Sequence, residues 1–109
     1  MDIDKNGMER ALQYLADSDV DFARAKTLYD GLMLQRKTVK ANCFLRAGDG
    51  SAASKEQAAY QMPDYVMHLQ KIETANLEYL TLLAQRSTAV TVIDCWRSLN
   101  AARNKGQIM

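Results

Sequence analysis

Between Phe22 and Cys43 the apolar positions recur at alternating steps of three and four residues: Phe22, Ala25, Tyr29, Leu32, then Arg36, then Val39 and Cys43, with Phe44 and Leu45 widening the stripe at its end. That spacing is the heptad period of a helix that buries one seam. A second register fits the C-terminal half. Tyr65, Ile72, Tyr79, Arg86 and Ile93 occupy one heptad position, while His68, Ala75, Leu82, Ala89 and Trp96 occupy its partner. Leu69, Leu83 and Val90 flank this second seam and make it wide enough for more than one neighbour. Stretches rich in Ala, Leu, Met, Gln, Lys, Arg and Glu, with one proline and five glycines, read as helix throughout. The expected fold class is all-α: a long antiparallel, coiled-coil-like helical hairpin with a short N-terminal helix, in one domain.

Punctuation along the chain sets the expected boundaries. Asn6 followed by Glu9 has the form of a capping box and opens a short helix over about 7–16. Ser18 followed by Asp21 repeats the form, which predicts a break near Asp17 to Asp19 before a long helix over about 19–47. Gly48, Asp49, Gly50 and Ser51 supply a turn, so residues 48–54 form the hairpin loop. Ser54 with Gln57 caps a last helix over about 55–104, which either kinks or begins at Pro63. Gly106, after Arg103 and Lys105, is the expected stop. Gly31 inside the first long helix marks either an indifferent position or one where another helix comes close; the second reading is preferred.

Some forty residues of helix at about 1.5 Å each would reach about 60 Å, longer than a compact domain of this size, so self-association is expected to cover the seam. Arg36 and Arg86 occupy seam positions in mid-helix. Either they pair with acids such as Asp30, Glu73 or Glu78, or water reaches them, because an unpaired buried charge costs several kcal/mol. With Tyr79 and Trp96 they are the residues expected to set register and oligomeric state.

With 109 residues, 48% of them hydrophobic and 25% charged, the composition is that of an ordinary globular protein. No apolar run approaches a membrane span. Met1 to Gly7 is acidic and polar where a signal peptide would be basic and then apolar, so the expected address is the cytoplasm, with no membrane contact. The net charge of +1 is unevenly spread. Seven acids face four bases from Met1 to Asp30, whereas Gly31 to Gly48 holds Arg36, Lys37, Lys40 and Arg46 and no acid. Together with Lys55, and with Arg97 and Arg103 near Trp96, these bases are the candidate contacts to phosphates or to a partner protein.

Other chemistry falls away on inspection. Asp2, Asp4, Asn6 and Gly7 imitate the opening of an EF-hand loop, but Gln13 stands where a bidentate glutamate is needed. Asp17, Asp19 and Asp21 fail likewise, with Phe22 in place of glycine and Leu28 in place of glutamate. Cys43 and Cys95 are far apart, and His68 is the one histidine and lies on the apolar stripe, so neither a metal site nor a catalytic triad is expected. No cofactor is expected, and the chain reads as non-enzymatic.

The run Arg36-Lys37-Thr38-Val39-Lys40-Ala41 leading to Phe44-Leu45, the glycine loop, the stretch Ser54 to Tyr65 and the ending Trp96-Arg97-Ser98-Leu99-Asn100 resemble a family of small helical proteins of temperate bacteriophages and prophages. The likeness runs from about Tyr29 onward. It implies a phage context near recombination or replication genes, and it supplies no catalytic residues. The leading expectation is an oligomeric phage accessory protein that contacts nucleic acid, or a phage or host protein of DNA metabolism, through the basic hairpin region. The alternative is a protein-only scaffold or host-factor binder whose charges keep the helices in solution.

Overall fold

Three helices carry the chain: α1 (Lys5–Arg46), α2 (Ala52–Gln61) and α3 (Pro63–Ile108). The computed structural model describes residues 3–108, with side chains described through residue 106; Asp2 of the acidic N-terminal string lies outside the described residues. No strand occurs among the described residues, and no helix among them is long and apolar enough to cross a membrane.

α1 starts at Lys5, two residues before the expected start at Gly7. Asp4, not Asn6, is the cap: its Oδ1 accepts the Gly7 N–H at 2.7 Å, satisfying one of the unpaired amides of the first turn. The break expected at Asp17 to Asp19 does not form, and the two predicted helices are one. Local and tertiary bonds explain this. Gln13 donates to Asp17 Oδ1 at 2.8 Å across one turn, and the Ser18 hydroxyl donates back to the Leu15 carbonyl at 3.4 Å instead of capping a new helix. Ser18 is also buried, at 5% exposure, because it continues the seven-residue pattern that the break would have interrupted.

α1 ends where φ turns positive, at Gly48 (φ 81°), with the Ala47 amide bonded to the Phe44 carbonyl at 3.2 Å. Gly50 (φ 140°) completes the turn in a region that disfavours any side chain. Ser51, not Ser54, caps α2; its Oγ accepts the Ser54 N–H at 3.1 Å. Met62 is extended (φ −67°, ψ 137°), as a residue before proline prefers, and Pro63 opens α3. The proline therefore begins a helix and does not kink one. Asp64 in the first turn of α3 and Lys105 in the last complement its dipole. The helix passes Gly106, since one exposed glycine costs only about 1 kcal/mol and does not break the pattern.

The contacts gather in two compact units. The first is built from the described parts of Met1–Ala23 and Leu80–Met109, and its core is Ala11, Ala89 and Ile93, with Met8, Tyr14, Leu15 and Val92 packed around them. The second, Arg24–Tyr79, centres on Cys43, Ala59 and Tyr65, with Val39, Phe44, Met62 and Leu69 against them. α2 belongs wholly to this second unit. Ala59 is fully buried there, and Tyr60 meets Tyr65 edge to face with ring centroids 5.5 Å apart. In both units small side chains supply much of the buried set, which lets helix backbones come close.

Candidate interaction surface

Within the second unit the bases of the acid-free run meet acids and phenols from α2 and α3. Lys40 Nζ lies 3.0 Å from Glu56 Oε1 and 2.7 Å from the Tyr60 hydroxyl, with the ammonium 4.6 Å from the Tyr60 ring centroid. The Tyr60 O–H donates to the same Glu56 oxygen at 3.2 Å, closing a three-residue network. The hydrogen bond to Tyr60, and then that to Glu56, hold the Lys40 pKa above its ordinary value. Lys40 in turn holds the Glu56 carboxyl below its ordinary range.

Arg46 pairs with Asp64 at 2.7 Å and reaches Cys43 Sγ at 3.5 Å; the Asp64 bond is the main cause that raises the Arg46 pKa. Lys55 stands over the Phe44 ring at 5.8 Å. Lys37 makes no hydrogen bond or ion pair to another described residue. It borders a shallow groove of about 520 Å³ shared with Lys40, Phe44, Leu45 and Glu56. In the first unit Arg97 stands 3.9 Å from Asp94, one turn earlier on the same helix, and Arg103 is exposed without a partner among the described residues.

The two seam arginines take one each of the two fates open to them. Arg86 is paired: it donates to the Leu15 carbonyl at 2.9 Å, to Ser18 Oγ at 2.8 Å and to Asp19 Oδ1 at 2.7 Å, and its guanidinium lies 5.1 Å from the Phe22 ring centroid. The partner acid is Asp19, not Glu73 or Glu78, and Asp30 is taken by Lys26 at 3.5 Å. Spacing on a single helix does not reveal a partner on the opposite one. Arg36 is exposed to water and donates to the hydroxyl of the buried Tyr65 at 3.4 Å, which raises the pKa of the guanidinium. Tyr79 stacks on Tyr29, centroids 5.9 Å apart and planes 17° from parallel, and Trp96 is half-buried. His68, 7% exposed, has Nε2 at 2.8 Å from the Leu32 carbonyl, so that nitrogen carries the proton it donates. Gly31 faces open space, with nothing within 4 Å of a Cβ placed on it, so no helix approaches closely there.

The larger surface feature of the second unit lies beside the seam. One hollow of about 610 Å³ is bordered by Val39, Leu45, Met67 and His68 on its apolar side and by Asn42, Lys71 and the paired Arg46 and Asp64 on its polar side, and another of about 580 Å³ by Leu28, Leu32, Met67, Lys71 and Glu78. Sharing Met67 and Lys71, they make one trough between α1 and α3. Its apolar walls are open: Leu28 is 52% exposed, Met67 54% and Leu45 79%. The heptad reading missed Leu28 and Met67 because they flank the seam. The signal available was the stripe widening at Phe44 and Leu45.

Among the described residues no three His, Cys, Asp or Glu side chains come together in a way that could hold a metal ion. No family model, no curated protein and no solved structure matches the chain.

Proposed function

We propose that the chain is a non-enzymatic helical adaptor, an antiparallel hairpin subunit that self-associates and presents its helix faces to protein partners, working in the cytoplasm of a host cell as an accessory protein of the phage type. The observation that carries this reading is the open apolar trough between α1 and α3 in the second unit, with Leu28, Leu45 and Met67 each more than half exposed. Support for the hairpin comes from cross-helix contacts whose numbers fall on one side as they rise on the other, Tyr29 with Tyr79 and Arg36 with Tyr65. The engagement of Lys40 by Glu56 and of Arg46 by Asp64 favours a protein partner over a phosphate backbone, since bases already neutralised have less counterion to release on meeting DNA.

Light scattering over a concentration series, run beside a titration of labelled single- and double-stranded DNA at low salt, tests the proposal. A mass above one chain with no DNA binding is expected. A strict monomer whose DNA binding is lost in Lys37→Ala would replace this reading with nucleic-acid contact.

A further inference from the structure

Two charges on the trough have no ion-pair partner among the described residues. Lys71 and Glu78 both border the hollow that Leu28, Leu32, Met67 and Ala75 line, and neither makes a hydrogen bond or ion pair to another described residue. They sit seven residues apart on α3, two turns or roughly 10 Å along the same face. Between them Ala75 is already covered within the unit, at 4% exposure, and the exposed side chain is the short Thr74, so little bulk stands between the two charges to hold a second helix away.

A plus and a minus charge at two-turn spacing, with small residues midway, is a self-complementary pattern. A two-fold axis crossing α3 near Thr74 and Ala75 sets Lys71 of one copy opposite Glu78 of the other, and the same operation makes the reciprocal pair. Aligning the two helices in parallel and in register would put like charges together, so the charges select the antiparallel arrangement. The same packing covers Met67 and Leu28, which are 54% and 52% exposed in the single chain.

We infer that the trough is occupied by a second copy of this chain, seated antiparallel across the Met67 to Glu78 face and joined by reciprocal Lys71 and Glu78 ion pairs. This inference rests on the self-association reading above and names its interface.

Charge reversal in the full-length protein tests it. Lys71→Glu leaves two like-charge contacts in every dimer, and so does Glu78→Lys. Each variant alone is expected to dissociate on the order of tenfold more readily than the unaltered chain. An equimolar mixture of the two restores both pairs in the heterodimer, and the double variant restores them in the homodimer. Sedimentation velocity reads the masses, and circular dichroism confirms that each variant remains helical, as expected for exposed positions. Recovery in the mixture and in the double variant supports the interface. A dimer indifferent to either reversal, or not recovered on mixing, overturns this interface and leaves self-association through another face. A strict monomer at all concentrations overturns both.

Discussion

Arg86 of α3 donates a 2.8 Å hydrogen bond to the hydroxyl of Ser18 on α1, inside the first unit. The serine passes on the role of a register pin, because its own hydroxyl bonds the Leu15 carbonyl, which also accepts from Arg86. A slip of one turn between these helix segments would strip the guanidinium of all three oxygen partners at once. His68 on the Leu32 carbonyl does the same service in the second unit. In each case a side chain of α3 reads the backbone of α1, a contact that apolar packing alone would not make specific.

Arg86→Ala is expected to lower stability by about 1–3 kcal/mol, since it removes a donor from the buried Ser18 hydroxyl and from the half-buried Leu15 carbonyl together. Asp19→Asn should cost less, about 0–1 kcal/mol, because Asp19 is 63% exposed. Urea denaturation followed by circular dichroism orders the two, and a larger loss for Asp19→Asn would show that the charge pair, not the buried polar contacts, holds this site.

Gly31→Ala should stabilise the protein by roughly 0.5–1 kcal/mol, because the new methyl group meets nothing and the unfolded chain loses freedom. Gly48→Ala should act in the opposite direction, since φ at Gly48 is +81°. Thermal melts of the pair decide it; a destabilising Gly31→Ala would mean that another helix does approach that position.

The Lys40, Glu56 and Tyr60 network makes the seating of α2 sensitive to pH at both ends. The folded-state pKa of Glu56 is depressed, so its contribution is present above the ordinary carboxylate range and fades as pH falls through the depressed value. That of Lys40 is raised, so its contribution is complete below the ordinary lysine range and fades as pH rises through the raised value. The protection of the α2 amides, taken as the ratio of free-peptide to observed exchange rate at each pH, should therefore be greatest near neutral pH and fall in acid. Glu56→Gln should abolish the acid limb, and an unchanged limb in that variant would assign it to another group.

The two thiols should separate by reactivity. Cys43 is fully buried and Cys95 exposed. A thiol-reactive chromophore should modify one cysteine per chain promptly under native conditions and the second only on unfolding. Mapping the prompt site to Cys43 would contradict the packing of the second unit's core.

The helical class, the glycine turn after Phe44 and the recurrence of the positions buried along α3, Tyr65 and Ile93 with His68, Ala75 and Ala89, were legible in the residues, because each depends on periodicity or on local φ preferences. Where a local signal competed with a tertiary one, the residues by themselves misled. Ser18 and Asp21 look like a helix start, yet Ser18 is buried and bonded to Arg86, and α1 runs straight through. Asn6 and Ser54 look like caps, yet Asp4 and Ser51 do the capping, since several polar residues in a row leave the choice to the backbone path. The choice of partners was decided by tertiary structure alone. Asp19 for Arg86, Glu56 for Lys40 and Asp64 for Arg46 all join residues on different helices, where no spacing along one helix can reveal a neighbour. Those pairings neutralised two of the four bases of the acid-free run, Lys40 and Arg46, and left Lys71 and Glu78 without an ion pair to another described residue on an open trough. The sequence determined which faces of the helices are apolar; the tertiary structure decided which charges remain available, because pairing depends on distance in space.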